Sequence, residues 1–182
     1  MDVYFPALDS KAYDVVMKLN SAGIKPSGQD FGHFLYQLDR LSLDYRACPI
    51  VGGEYSLKET GPFADIAVEV VKTASSGKYP EITLEDGRLV AIGGSIDWLS
   101  ESEISIVELA IDSFTTSDGQ ILTSEWSELT ECVCVSVGDK INLEDLLNAV
   151  TSRERAASII DCAKEELRLA AIFKNEREAP QS

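Results

Sequence analysis

The sequence predicts a predominantly helical α+β fold: a single domain over residues 1–178 with a small antiparallel β-hairpin, followed by a disordered tail at 179–182. Two observations favour this fold. Apolar residues recur at the helical period through most of the chain, and Asp86-Gly87 joins two short β-prone runs. A chain of 182 residues is the size of one domain and can bury a core without disulfides or metals.

Two apolar stripes predict the first two helices. Residues 12–19 keep the helical period, with Asp9 and Ser10 as expected caps and an end near Gly23. The second helix should be central to the core, with Asp30 as its expected N-cap. Its stripe consists of Phe31, Phe34, Leu35, Leu38, Leu41 and Tyr45.

The next segment is predicted to turn, extend and become helical again. Pro49 ends the second helix, and a turn at residues 51–53 leads to a short extended segment with Tyr55 and Leu57. Gly61-Pro62 should open a third helix, because proline is tolerated at the first helical position. The apolar stripe of that helix is Phe63, Ile66, Ala67, Val70, Val71 and Ala74.

Residues 81–85 and 88–92 should form a hairpin around Asp86-Gly87, a dipeptide favoured in type I′ turns. Pairing across this turn sets Glu85 opposite Arg88, a favourable charge pair. The same pairing puts four apolar side chains on one face: Ile82, Leu84, Leu89 and Ala91.

Capping signals also organise the second half. Ser100 and Glu103 predict a capping box, followed by a helix that buries Ile104, Val107, Ala110, Ile111 and Phe114. A short helix over residues 124–130 would bury Trp126 and Leu129, and the alternating residues 132–137 are expected to be extended.

The last two helices have their own caps. Asn142 should cap a short helix through Val150, and Thr151 with Glu154 should form a capping box for the long final helix. The stripe of that final helix is Ala156, Ile160, Ala163, Leu167 and Ala170.

The charge balance is the strongest compositional feature. Sixteen basic residues against 31 acidic ones give a net charge of −15, which disfavours binding to nucleic acid or to an anionic membrane. The charge would instead steer a basic protein towards the chain. Residues 89–139 contain no Lys or Arg, and an acidic face there could serve solubility alone or partner binding.

Neither catalysis nor metal binding is indicated. His33 is the single histidine, and a structural role is favoured for it because no neighbouring motif supplies a nucleophile. Cys132 and Cys134 are spaced too closely for a zinc knuckle, so we expect the cysteines to be buried thiols. Trp98 and Trp126 should pack in the core or at its rim. No enzyme activity, cofactor or metal is therefore expected.

The beginning of the chain favours the cytoplasm. Its first residues, MDVYFPALDSK, have no positively charged start followed by an apolar stretch, as a signal peptide would. No apolar run approaches the roughly 20 residues that cross a bilayer.

Two blocks resemble the SocA-like, or Panacea, domain. Residues 34–72 match its aromatic helix with an Asp-Arg pair, its Pro-Ile turn, its tyrosine-containing strand and its Gly-Pro dipeptide. The matching residues are Asp39, Arg40, Pro49, Ile50, Gly53, Tyr55, Gly61 and Pro62. Residues 98–131 resemble the later segment of the family, with a Leu-Ser-Glu-Ser-Glu helix start. Ala47 stands where the family usually has glycine.

The resemblance implies a domain of bacteria and phages that neutralises a toxin by binding it, in one type as an adaptor to a protease. We therefore predict a non-catalytic module for a basic protein partner. The acids expected to steer that partner are Glu101, Glu103, Glu108, Asp112, Glu125 and Glu128. The alternative is a phage-encoded inhibitor of a defence or nucleic-acid-binding protein, whose acidic face imitates DNA.

Overall fold

The computed structural model describes residues 4–123 and 128–178, and the side chains of 166, 167 and 169 onward lie outside that description. Over the described residues, the chain forms six α-helices, a short 3₁₀ helix and two antiparallel hairpins, which confirms the α+β fold class. The elements are α1 (Asp9–Ser21), α2 (Gly28–Arg46), β1 (Tyr55–Lys58), β2 (Gly61–Ala64), α3 (Ile66–Ser76), β3 (Ile82–Glu85), β4 (Arg88–Ala91), α4 (Glu101–Phe114), the 3₁₀ helix (Thr130–Cys132), α5 (Leu143–Val150) and α6 (Arg153–Glu178).

Helix α2 is the centre of the fold, as its apolar stripe predicts. It packs against β2, α3, α4 and α5. Its side chains Phe31, Phe34, Leu35 and Leu38 are completely buried, and each contributes about 2 kcal/mol to the hydrophobic stabilisation. Tyr45 departs from the prediction because residues 44–46 are all exposed, so the last turn of α2 lies beyond the packed core.

Two predicted helix caps are wrong by one to three residues. Ser27, not Asp30, caps α2: its hydroxyl accepts the Asp30 N–H at 3.1 Å and donates to the Asp30 carboxylate at 2.8 Å. At α6 the hydroxyl of Ser152, not Thr151, accepts the N–H of Arg155 at 3.3 Å. Each site has several polar residues able to cap, and the sequence alone does not select among them.

Two other caps are confirmed. Ser100 and Glu103 form the complete reciprocal capping box of α4, and the Asn142 side chain accepts the Glu144 N–H at the start of α5. Helix α1 differs: the residue before Asp9 is its N-cap and gives no side-chain hydrogen bond, so neither Asp9 nor Ser10 caps it.

Gly61 and Pro62 belong to a strand, which corrects the prediction that they open a helix. They pair with Lys58 and Leu57 in the β1–β2 hairpin, and α3 begins only at Ile66. Gly61 has a φ of 125°, which only glycine adopts readily. A two-stranded hairpin tolerates proline because the missing N–H can face away from the partner strand.

The second hairpin is confirmed in its register. Ile82 pairs with Ala91 and Glu85 with Arg88. Asp86 and Gly87 have φ values of 49° and 76°, as the predicted type I′ turn requires.

The segment after α4 departs from the prediction. Of the helix expected at 124–130, residues 124–127 lie outside the described residues, and a 3₁₀ helix begins at Thr130 beside the partly buried Leu129. Residues 132–137 are not extended: the Val135 N–H closes a turn onto the Cys132 carbonyl at 3.0 Å, and most of their side chains are exposed. The pairing with β1 occurs instead at residues 138–141, where the Gly138 N–H donates to the Leu57 carbonyl.

Helix α6 packs against α5. The predicted stripe is buried at Ala156 and Ala163 and partly buried at Ile160. Its remaining members, Leu167 and Ala170, have side chains outside the described residues.

Replacing Ala47 with glycine should raise the free energy of unfolding by about 0.5–1 kcal/mol. Ala47 ends α2 in the left-handed conformation, with a φ of 61°, where a Cβ is unfavourable. Urea denaturation measures the change. The matched control is Ala22→Gly at the end of α1, where φ is −84° and glycine should instead destabilise. Equal effects of the two substitutions would contradict this explanation.

Candidate partner-binding surface

Asp39 holds together the turn that follows α2. It is completely buried. One carboxylate oxygen accepts the N–H of Ile50 at 2.7 Å and that of Val51 at 2.9 Å. The other accepts the Gly52 N–H and the Tyr55 hydroxyl, each at 2.9 Å. We call these five residues the Asp39 unit.

Burial raises the pKa of Asp39 to about 6, because a charged carboxylate is less favourable away from water. The hydrogen bonds from Val51, Tyr55, Gly52 and Ile50 oppose that rise by stabilising the ionised form. At neutral pH the carboxylate is therefore ionised and able to accept all four hydrogen bonds. Three of the donors are consecutive backbone amides, so the carboxylate fixes the local path of the chain.

Two further motif residues continue the same turn. Pro49 is buried immediately before the Asp39 unit. Gly53 follows it with a φ of 95°, and its N–H donates to the Phe5 carbonyl at 2.9 Å. The motif thus connects the N-terminal segment to the end of α2.

Pro62 connects the first hairpin to α2 through His33. The Pro62 carbonyl can only accept, so His33 Nδ1 donates to it at 2.6 Å, and Nε2 lies in hydrogen-bond contact with the Thr60 hydroxyl at 2.9 Å. His33 is 2% exposed and faces a void of only about 10 Å³. In this geometry the histidine positions the β1–β2 turn.

Arg40, the second residue of the Asp-Arg pair, joins the 3₁₀ helix to α2. Its Nε donates to Glu131 Oε1 at 2.7 Å, and the Tyr36 hydroxyl donates to the same oxygen at 2.8 Å. The Glu131 side chain is fully buried, whereas that of Arg40 is 34% exposed. Burial, together with the charge of Glu131, raises the pKa of Tyr36, so its hydroxyl stays protonated.

The predicted steering acids divide into different environments. Glu101, Glu108, Asp112 and Glu128 are exposed. Glu108 forms an ion pair with Lys18 at 2.6 Å. Glu125 lies outside the described residues, and the remaining member, Glu103, is only 5% exposed.

Glu103 is therefore a structural residue and not a steering charge. Its carboxylate pairs with Lys11 at 2.6 Å and Arg46 at 3.2 Å while it completes the α4 capping box with Ser100. Burial alone would raise the pKa of Glu103, but the hydrogen bonds from Lys11, Ser100 and Arg46 outweigh it and lower the pKa to about 2.

The low pKa of Glu103 predicts a specific acid sensitivity. A carboxylate whose pKa is lowered by folding adds stability above its ordinary pKa of 4.5, and this is lost as the pH falls towards 2. Glu103→Gln should lower the free energy of unfolding by about 2 kcal/mol at pH 6. Between pH 5 and 3 the stability of this variant should depend less on pH than that of the parent. Urea midpoints across this range measure it, with the exposed Glu101→Gln as control. Parallel profiles for parent and Glu103→Gln would refute the ion-pair role.

Trp98 is not part of the core, contrary to the prediction. Its side chain is 60% exposed at the start of α4, and Trp126 lies outside the described residues. The cysteine prediction also needs correction. Only Cys132 is buried, whereas Cys48, Cys134 and Cys162 are exposed.

An apolar groove of about 600 Å³ lies on another side of α2, between the β1–β2 turn and α3. Its floor includes Phe63 and Val71, with Lys58 and Lys72 at its edges. The floor depends on Gly32, since a Cβ added there would lie 2.0 Å from Phe63 Cε2. Both lysines have carboxylate partners: Lys72 pairs with Glu69 at 2.6 Å, and Lys58 lies 4.0 Å from Asp65.

No protein-family model, curated protein or solved structure matches the chain. Within residues 4–123 and 128–178, no group of three or more His, Cys, Asp or Glu side chains is arranged to hold a metal. No helix in the same part of the chain is long and apolar enough to cross a bilayer.

Sequence reasoning missed the ionic partners that hold the site in place. In the sequence Glu131 is one more acid of the stretch 89–139, whereas in the fold it pairs with residues more than 90 positions away. Lys11 likewise carried no signal of its contact with Glu103 on α4. Both contacts depend on tertiary packing of helices, which a local motif does not specify.

Proposed function

We propose that this chain is a non-catalytic protein-binding module that neutralises a partner protein, as the SocA-like antitoxins it resembles do. One observation carries the proposal. Three of the motif residues that suggest the family, Asp39, Ile50 and Tyr55, meet in the Asp39 unit, where a single carboxylate accepts four hydrogen bonds. These residues thus have a structural role, since they fix the turn after α2 on which a binding scaffold would depend.

The exposed face of α4 is the surface best suited to a basic partner. Glu101, Glu108 and Asp112 are spaced so that they lie along one side of the helix, and all three are exposed. Leu109, 39% exposed, adds apolar area beside them. Lys18 of α1 pairs with Glu108, so Glu101 and Asp112 supply most of the steering charge, and residues 89–139 contain no Lys or Arg that could offset it.

Charge reversal tests the proposal through association kinetics. The double variant Glu101→Lys/Asp112→Lys should associate with the purified partner about tenfold more slowly at low salt, because long-range steering is lost. At high salt the difference should shrink, since screening acts within about 10 Å at 0.1 M. The dissociation rate constant should change less than the association rate constant.

The control makes the same change of charge elsewhere. Asp44→Lys/Glu59→Lys alters two exposed acids on α2 and in the β1–β2 turn. This control should associate at close to the parental rate at every salt concentration. If both double variants slow association equally, only net charge matters and α4 has no special role. If neither does, the acidic face serves solubility.

A further inference from the structure

Trp98 is an exposed aromatic side chain on a segment whose backbone is held by hydrogen bonds to carboxylates. The N–H groups of Trp98 and Leu99 donate to the buried Asp14 carboxylate at 2.6 and 3.1 Å. The next N–H, of Ser100, donates to Glu103 at 2.9 Å. Three consecutive amides are therefore held by carboxylates, while the Trp98 side chain stays 60% exposed.

This arrangement has the properties of an interface anchor. Leu99, the next residue, is 7% exposed, so the chain is attached to the core directly beside the indole. Tryptophan is enriched among the residues that dominate binding energy. A side chain on a backbone that is already ordered loses less entropy when a partner covers it.

The acidic residues on either side of Trp98 favour a cationic group of a partner as the contact of the indole. Asp97 precedes Trp98 and Glu101 lies three residues after it, and both are exposed. The Asp97 carboxylate is held by the Ser95 hydroxyl at 2.6 Å. An arginine fits this setting, because its guanidinium stacks on aromatic faces and pairs with carboxylates.

We propose that Trp98, with Asp97 and Glu101, is the anchor of the partner interface and receives an arginine from a basic segment of the partner. This inference rests on the proposed function and deepens it by naming the contact and its chemistry. The steering face of α4 begins at Glu101, so the anchor is continuous with the surface that attracts the partner.

Two labelled peptides of equal charge test the anchor without a known partner. One alternates arginine with glycine, and the other alternates lysine with glycine. Fluorescence anisotropy at low salt should show tighter binding of the arginine peptide. Trp98→Ala should weaken that binding about threefold to thirtyfold and remove the preference for arginine over lysine. Trp98→Gln serves as a second variant if the first folds poorly.

Two controls separate stacking from charge. Tyr45→Ala removes another exposed aromatic residue, on α2, and should leave the affinity for both peptides unchanged. Asp97→Asn/Glu101→Gln should weaken the binding of both peptides, while some preference for the arginine peptide remains. The proposal is overturned if Trp98→Ala binds the arginine peptide as the parent does, or if the arginine preference persists in that variant.

A second arm distinguishes this inference from the proposed function. The parent and Trp98→Ala are each used to capture proteins from cells that naturally contain the chain. If the parent retains a basic partner and the variant retains as much, the anchor is wrong and the function stands. If peptide binding depends on Trp98 but the parent retains no protein, the anchor stands and the proposed function fails.

Discussion

Asp39→Ala should lower the free energy of unfolding by about 3–5 kcal/mol, a large part of the stability of a typical domain. The substitution removes the common acceptor of the Ile50, Val51 and Gly52 amides and of the Tyr55 hydroxyl. Asp39 is completely buried, so water cannot replace the lost acceptor without the turn opening. The same variant should fold poorly or yield little soluble protein.

Urea denaturation of the purified variants measures this effect. Asp39→Asn should lie between parent and Asp39→Ala, because one amide oxygen can still accept while the amide NH₂ faces existing donors. Asp44→Ala, an exposed acid on the same helix, should change stability by less than about 0.5 kcal/mol. A loss below about 1 kcal/mol for Asp39→Ala would mean that the turn is held by something other than this carboxylate.

Glu131→Ala should be the second most destabilising change, with a loss of about 3 kcal/mol. It leaves the partly buried Arg40 guanidinium without its carboxylate and the buried Tyr36 hydroxyl without its acceptor. Most of this loss should come from the charge-assisted Arg40–Glu131 pair, since an unpaired charge in a poorly solvated site is costly. Glu128→Ala, a nearby exposed acid, should be close to neutral.

A double-mutant cycle isolates the pair. The combined variant Arg40→Ala/Glu131→Ala should be more stable than the sum of the two single losses predicts, with a coupling energy of about 1–2 kcal/mol. Strict additivity would show that Arg40 and Glu131 contribute separately, and the idea that they join the 3₁₀ helix to α2 would have to be abandoned.

Features set by neighbouring residues could be predicted from the sequence. The Asp86-Gly87 turn fixes the register of the second hairpin, and Ser100 with Glu103 fixes the start of α4. The apolar stripe of α2 correctly indicates the centre of the core. In each case the residues that decide the structure are within a few positions of one another.

The errors occur where a distant contact decides between two local possibilities. Gly61-Pro62 is compatible with a helix start and with an edge strand, and pairing with β1 selects the strand. Glu103 has the appearance of one more surface acid, yet Lys11 and Arg46 pair with it inside the fold. Trp98 is exposed although its backbone N–H is bound by the buried Asp14 carboxylate, a residue 84 positions away that composition could not indicate.

The candidate site was predicted only in part, for a similar reason. A family resemblance indicates the motif residues, but the contacts of Ile50 and Tyr55 with Asp39 become visible only in the folded chain. The exposure of Glu101, Glu108 and Asp112 agrees with a steering surface. That the partner is a basic protein stays a prediction.

Affinity capture tests the central claim most directly. The tagged chain would be used to retain proteins at low salt from a lysate of cells that naturally contain it, and mass spectrometry would identify and quantify them. The account predicts one dominant, near-stoichiometric basic protein, released by salt and poorly retained by Glu101→Lys/Asp112→Lys. Retention of no protein by the parent, or of a partner indifferent to salt and to the charge reversal, would contradict it.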